Sequence, residues 1–334
     1  MKSSPLISIC IPTYNRTRYL KQALISCFRQ TYKNYEIIIC DNSTNSNSQR
    51  FIRRIKNPHI RYYKNKTNLG SVKNINQTLS FARGKYIKFL FDDDLLCPNC
   101  LEEMVTVLEK NKTAGIAMAP LDIIDNHGKN IQPRFHYIRK MRELYRYQNH
   151  SGLIRNLVIL KDFLIRTYPC CVPTGIMVRK QCIDELGKFD EDFNYIGDLE
   201  FCIRMSTKYD FYYVNQKLSA WRYTESSETV NILHTQTISP VYFYRLIDKF
   251  YYKLNVARFF PKKDREKIIM DAYIFASKRA MLNSLVALKF FDIKLLLFTI
   301  KTVYKSDPFV INRIKLPFSL FKEFIIALYN LVKL

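Results

Sequence analysis

The sequence predicts an α/β fold with a mostly parallel central sheet and a helical C-terminal extension. Short β-branched runs alternate with helical spacings through the first half, the pattern of strands joined by right-handed crossovers. Those runs end in polar residues, as strands do when they deliver loops to one sheet edge. Beyond about residue 239 the strand pattern stops, and apolar, basic stretches replace it.

The elements follow in order. Leu6 to Pro12 reads as the first strand, closed by Thr13-Tyr14-Asn15. Leu20, Leu24 and Phe28 share one face of a helix over Arg18 to Gln30, with Thr17 as its cap. Glu36 to Cys40 is the second strand, ending at Asp41-Asn42-Ser43, and Ser46 to Lys56 the next helix. After a strand at Ile60 to Tyr63, Asn68-Leu69-Gly70 opens a helix to about Ala82, with Gly84 as its stop. Tyr86 to Phe91, β-branched and aromatic, is a buried strand running into Asp92-Asp93-Asp94. A helix from Pro98 to about Lys110 precedes a strand at Gly115 to Pro120. Residues 121–150, with Gly, Pro, His and many basic residues, read as an irregular segment over the site. Then come a helix at Leu153 to Ile165 and a strand at Val172 to Val178 with Pro173 at its start. A short helix at Gln181 to Leu186, a helix at Asp198 to Tyr209, and one or two strands within Tyr212 to Trp221 complete the pattern. The expected division is a domain at 1–238 and a basic amphipathic helical region at 239–334.

Composition narrows the function classes. The 334 residues are 48% hydrophobic, enough for a sizeable core. A net charge of +24 calls for an anionic partner: nucleic acid, a membrane surface or a phosphorylated substrate. The nine cysteines form no regular framework, and Cys97-x-x-Cys100 lacks the second pair a zinc site needs. They read as small buried residues in a reducing compartment. The N-terminal apolar run is too short for a signal peptide, and no clean stretch of ~20 apolar residues spans a bilayer. Absence of G-x-G-x-x-G after the first strand, and of a Walker motif, disfavours dinucleotide and P-loop sites.

Asp92, Asp93 and Asp94 are the most informative feature. Three adjacent acids repel one another unless a cation sits among them, and hard oxygens suit Mg²⁺ or Mn²⁺. The alternative is a solvated acidic loop that starts the next helix. Thr13-Tyr14-Asn15, Asp41-Asn42 and Asp92-Asp93 converge on one edge of a parallel sheet. A ring, a set-back carboxylate and an acid pair are what a nucleoside diphosphate requires.

The segments I-S-I-C-I-P-T-Y-N-R, E-I-I-I-C-D-N-S, N-L-G and A-R-G-K-Y-I-K-F-L-F-D-D-D-L-L-C-P resemble, in that order, the family-2 glycosyltransferases of GT-A fold. G-K-F-D-E-D-F-N-Y-I-G-D-L-E-F-C-I-R-M is similar to that family's acceptor-side segment, with Asp198 and Arg204 at the family spacing. The resemblance covers about residues 4 to 225. It implies a donor-binding set of Pro12, Thr13, Tyr14, Asp41, Asn68, Gly70, Lys73 and Asp92. Thr13 and Tyr14 would hold the nucleobase, Asp41 would read it, and Asp92 would lie near the ribose. It implies Asp93 as the direct ligand of Mn²⁺ or Mg²⁺, Asp94 as a further acid, and Asp198 as the general base of an inverting enzyme. A carboxylate in reach of an acceptor hydroxyl can take its proton in the transition state.

The chain departs from the family pattern in places. Cys40-Asp41-Asn42-Ser43 keeps one carboxylate where Asp-Asp-Gly-Ser is common. Ile75 precedes Asn76 where a basic residue is usual, with Lys73 as a substitute. Thr224 stands where a His often follows the Arg of Trp221-Arg222-Tyr223, and His234 lies further on. His59, His127, His136 and His150 read as surface residues, the Tyr/Phe residues at 242–252 as helix packing, and Trp221 as core.

The expected function is a metal-dependent, inverting transfer of sugar from a nucleotide-diphospho-sugar, UDP-sugar first, to a saccharide or lipid-linked saccharide acceptor in cell-surface polysaccharide synthesis. Excess Lys and Arg on the C-terminal helices predict packing on the catalytic domain and contact with an anionic membrane, hence a cytoplasmic, peripheral location. Two other classes remain: a catalytically idle GT-A scaffold, kept open by Thr224, and a basic nucleic-acid-binding protein, which lacks any recognisable module.

Overall fold

Two strands without polar alternation, β1 (Ile7–Thr13) and β2 (Tyr35–Asp41), are buried along their whole length, as strands covered on both faces must be. The structure is a computed structural model and describes residues 5–131, 150–166, 173–193, 196–224, 245–269 and 271. The chain forms two units, Met1–Phe163 with Thr167–Thr224, and Leu164–Arg166 with Glu225–Leu334.

In the first unit, β1 and β2 are followed by β3 (Ile60–Lys64), β4 (Tyr86–Phe89), a short β5 (Leu95–Leu96), β6 (Ala114–Met118), β7 (Leu121–Ile124), β8 (Gly152–Ile154), β9 (Ile176–Arg179), β10 (Asp210–Tyr213) and β11 (Ser219–Arg222). The helices are α1 (Thr17–Phe28), α2 (Asn47–Arg54), α3 (Ser71–Phe81), α4 (Cys100–Lys110), α5 (Asn156–Arg166, whose last three residues count with the second unit), α6 (Lys180–Leu186) and α7 (Gly197–Ser206). The main sheet runs β3-β2-β1-β4-β9-β6-β10-β8. Pairs among β3, β2, β1 and β4 are parallel, as is β6 with β10. β9 is antiparallel to both β4 and β6, and β8 closes one edge antiparallel to β10. A second sheet, β5-β11-β7, lies beyond the end of β4. Sequence reading anticipates the mostly parallel α/β architecture; the reversed strand β9 in mid-sheet is what it does not.

The helices bury the stripe their spacing dictates. On α1 these are Leu20, Ala23, Leu24 and Cys27; on α4, Leu101, Met104, Val105 and Leu108. Glu102 and Glu103 in the first turn of α4 and Lys110 in its last turn complement the helix dipole. Gly84 is dictated by contact: a Cβ there would lie 2.6 Å from the Ser8 backbone nitrogen. The Gly84 N–H instead donates to Ser8 Oγ, which donates on to Glu36.

Several elements depart from expectation for local reasons. Thr17 is the first helical residue of α1 rather than its cap, and its hydroxyl pairs with Ser48. Within 121–131 the chain is ordered as β7 and a bridge from Ile124 to Asn130, because Asp125 accepts the N–H groups of His127 and Lys129 and folds the turn. Gly152–Ile154 is strand rather than the start of a helix, since it pairs with β10. Pro173–Gly175 forms a 3-10 turn before β9. Trp221 is half-buried, packed with Tyr223 on Leu121 and Ile123. His59 is also half-buried and stacks on Tyr35. Six of the seven described cysteines are buried and all seven are free thiols.

In the second unit, Asn255 takes φ of +46° between a π-helical turn, Asp248–Lys253, and a 3-10 turn, Val256–Phe259. Phe250 and Tyr251 of the aromatic cluster are buried. Residues 132–149, most of the expected segment over the site, lie outside the described residues, as do the expected amphipathic helices beyond residue 271. Among the described residues no helix is long and apolar enough to cross a membrane.

Candidate active site

The C-terminal ends of β1, β2 and β4 meet around Thr13. Its register partner on β2 is Asp41, and its carbonyl accepts the Asn42 N–H at 2.9 Å. Its hydroxyl donates to Asp92 Oδ2 at 2.6 Å, and the Tyr14 N–H donates to the same oxygen at 3.3 Å. The sheet thus brings together Pro12, Thr13, Tyr14, Asp41 and Asp92. Tyr14 is 44% exposed, which leaves it open to a ligand at this edge. Asn15 holds the turn in the left-handed region at φ +55°, which Asn tolerates. Its N–H donates to Ser43 Oγ, and its side-chain oxygen accepts from Thr44 and Asn45.

Asp41 is fully enclosed. Oδ1 accepts the Ser43 N–H at 2.7 Å; Oδ2 accepts the Tyr62 hydroxyl at 2.5 Å and lies 3.5 Å from Lys64 Nζ. Burial and the Asp41 charge push the Tyr62 phenol up, so it remains the donor. Behind this loop, Asn65 donates to both Asn42 and Asn74, Asn42 donates to the Gly70 carbonyl, and Asn74 to that of Cys40. These amides fix the ends of β2 and β3 against the start of α3. Asn68 closes a turn onto the Gly70 N–H, and Gly70 takes φ of +82°. Lys73, at the start of α3, forms an exposed ion pair with Glu191 at 3.7 Å.

The three acids after β4 are buried, at 5%, 7% and 0% exposure for Asp92, Asp93 and Asp94. They are therefore not a solvated loop. Arg16 NH1 lies 2.5 Å from Asp93 Oδ2 and 3.7 Å from Asp92 Oδ1. Burial, then the neighbouring Asp93 charge, pushes Asp92 up to about 7, against the pull of Arg16 and Thr13. Burial raises Asp93 despite Arg16. Asp94 is raised by burial and by Asp93.

A rigid polar backing holds this loop. The β5–β11 register, Ala220 on Leu95, carries Arg222 toward Asp93. Fully buried Arg222 donates its backbone N–H to Asp94 Oδ1 at 2.9 Å and Nε to the Asp93 carbonyl at 2.7 Å. Its remaining nitrogens reach the Asp125 carbonyl and Gln22, and the guanidinium lies 4.9 Å over the Tyr19 ring. Thr174 Oγ1 donates to Asp94 Oδ2. Lys88, fully buried in β4, donates to the carbonyls of Thr174 and Ile176; burial lowers its pKa. Neither Arg222 nor Lys88 stands out in the sequence as a site residue.

Asp198 opens α7, half-buried, with Oδ1 accepting the Leu199 N–H at 2.8 Å. Phe201, one turn on, stands edge-on to Phe89 at the end of β4 and stacks on Phe189 at 4.5 Å. Asn76 of α3 exchanges hydrogen bonds with both backbone groups of Phe189. These contacts tie the helix bearing Asp198 to β4, the strand that leads to Asp92 and Asp93. Arg204 pairs with Glu200 and donates to the carbonyls of Leu186, Gly187 and Lys188, which is scaffolding for the loop before Phe189. Thr224 is buried at 2% exposure.

The donor set suits a hard divalent ion: two adjacent carboxylates, buried, in a cluster whose acids are all shifted upward, first by burial. Among the described residues no group of three acidic, His or Cys side chains forms a complete metal cage. Mg²⁺ and Mn²⁺ sites built from one or two carboxylates take their other oxygens from water and substrate phosphates.

A mostly parallel sheet that delivers an acid pair to one edge, with a small second sheet beside it, is the architecture of GT-A glycosyltransferases. Residues 8–187 match the family described as Glycosyl transferase family 2, and the chain belongs to that family. A glycosyltransferase of Methanocaldococcus jannaschii, MJ1057, is 28% identical over 71% of this chain and 78% of its own. The putative colanic acid biosynthesis glycosyl transferase WcaA of Escherichia coli is 40% identical over 30% of this chain and 37% of its own. Among solved structures, residues 1–349 of S. aureus TarS superpose with a TM-score of 0.62 at 14% identity, covering 97% of this chain and 88% of that one. The same protein in complex with UDP-GlcNAc superposes at 0.57, covering 92% and 90%.

Proposed function

We propose that this glycosyltransferase moves a sugar from a UDP-sugar to a saccharide or lipid-linked saccharide acceptor, with a divalent ion and with inversion, in the synthesis of a surface polysaccharide. The observation that carries the reading is the buried Asp92–Asp93 pair at the same sheet edge as the exposed Tyr14. Similarity to TarS, crystallised with UDP-GlcNAc and with UDP, supports the uridine nucleotide. Similarity to WcaA supports the polysaccharide.

In this reading Tyr14 packs on the base, while Pro12 and Thr13 form the floor of its seat. Asp41, which the resemblance would have reading the base, is enclosed and instead braces the base seat from behind by holding the Ser43 N–H and the Tyr62 hydroxyl. Asn68, Gly70 and Lys73 line the donor on the α3 side, and Asp92 lies nearest the ribose. Asp93, with Asp92 beside it, holds Mn²⁺ or Mg²⁺; when bound, the ion supplies positive charge against the departing diphosphate. Asp198 accepts the proton of the acceptor hydroxyl as its oxygen attacks the anomeric carbon. The carbon–oxygen bond to the diphosphate breaks on the opposite face, and its electron pair leaves with the phosphate. One displacement of this kind inverts the anomeric centre. The net charge of +24 supports work beside an anionic membrane.

The test is turnover of UDP-sugars with Mn²⁺ by the unaltered chain, Asp93→Ala and Asp198→Ala. Asp198→Ala is expected to lose about 10²–10⁴-fold in kcat while still binding UDP. Asp93→Ala is expected to lose Mn²⁺-dependent UDP binding. Unaltered turnover in both variants refutes the assignment, and absence of turnover with any donor by the unaltered chain favours the idle scaffold.

A further inference from the structure

Arg16 has no part in the reaction as written above, yet it occupies the centre of the acid pair. It directly precedes α1, and its side chain is 27% exposed. Among the described residues, the ion pairs of Asp92 and Asp93 are both made to Arg16. Arg222 approaches from behind, but its Nε is committed to the Asp93 carbonyl rather than the carboxylate. The protein closes no three-ligand cage here among the described residues. A divalent ion arriving alone would therefore meet two carboxylates already paired with one guanidinium, Asp93 the more tightly.

We propose that Arg16 is a resident counter-ion, displaced jointly by the divalent ion and the donor diphosphate, so that ion and nucleotide binding are coupled through one side chain. The proposal rests on the donor reading of the preceding subsection. An ion alone must break the charge-assisted bond between this guanidinium and a buried carboxylate and gives nothing back for it. When a diphosphate enters as well, the guanidinium exchanges Asp93 for anionic phosphate oxygens that its planar fork fits. The second ligand thus recovers what the first loses. Such coupling is reciprocal: the nucleotide tightens the ion by the factor by which the ion tightens the nucleotide.

The experiment measures Mn²⁺ binding from the paramagnetic resonance signal of the free ion, on the full chain, with and without UDP. It compares the unaltered chain with Arg16→Gln and Arg16→Lys. Without UDP, Arg16→Gln is expected to bind Mn²⁺ about tenfold more tightly than the unaltered chain, and the gain on adding UDP is expected to shrink by a similar factor. Arg16→Lys, which keeps the charge, is expected to stay nearer the unaltered chain and serves if Arg16→Gln does not fold. Mn²⁺ binding by Arg16→Gln that equals or falls below that of the unaltered chain overturns the proposal. So does an undiminished UDP effect. An unaltered chain that binds no Mn²⁺ even with UDP refutes the donor reading itself, a result distinct from either.

Discussion

Replacing Asp92 by Asn should make the ion-free protein more stable at neutral pH and reduce a fall in stability with rising pH by Asp92's own share. In the folded chain Asp92 is raised from 3.8 to about 7, first by burial and then by Asp93. Between those values the folded chain keeps a proton that the unfolded chain has released. Stability is therefore full at low pH and falls as pH rises toward 7. From about pH 5 to 7 the loss is on the order of 2–3 kcal/mol. In a domain of this size that is about 5–10 °C in Tm. Asp93 feels the same field, so the step belongs to the pair. Glu36 and Glu109, whose pKa values are lowered, act in the opposite sense, but only below about pH 5. An Asn oxygen can still accept from Thr13 and Tyr14, so the variant removes charge while keeping the local hydrogen bonds. The assay is thermal unfolding in chelator from about pH 5 to 8. A flat profile for the unaltered chain, or the same fall in Asp92→Asn, would refute the electrostatic account of this site.

Three other substitutions test the scaffold. Arg222→Leu removes a buried positive charge beside Asp93 and Asp94 and strips donors from three acceptors, so a loss of about 3–5 kcal/mol is expected in chemical denaturation. Gly84→Ala drives a methyl against the Ser8 backbone and should lower stability by about 1–3 kcal/mol in the same assay. Gly70→Ala meets no neighbour within 4 Å, yet it holds a backbone conformation reserved for Gly and should lose about 1–3 kcal/mol; a loss near zero would show that the turn relaxes.

Much of the donor side is legible in the chain because its signals are local. Continuous apolar runs announce β1 and β2, and Asp92-Asp93-Asp94 follows β4 after only Leu90 and Phe91. What escapes notice depends on long-range register. Arg222 reaches Asp94 only through β5–β11 pairing, 128 residues apart. Lys88 sits in the run Y-I-K-F, where a lysine ordinarily marks a solvent-facing position, but both faces of β4 are covered. The enclosure of Asp41 follows from β3 register, which sets Lys64 opposite it. Arg16 follows the P-T-Y-N run and reads as a helix-start residue; its reach to Asp93 crosses 77 positions.

The late strand β9 also bears on synthesis. One edge of β4 pairs with β1, but its other edge can be satisfied only when residues 176–179 have been made. Until then the emerging polypeptide presents an open hydrogen-bonding rim, the kind that recruits unwanted neighbours. Lys88 stands on that rim. An unburied ammonium in the middle of a sticky tetrapeptide is a guard against aggregation, and the arrival of Thr174 and Ile176 then converts the guard into a rivet.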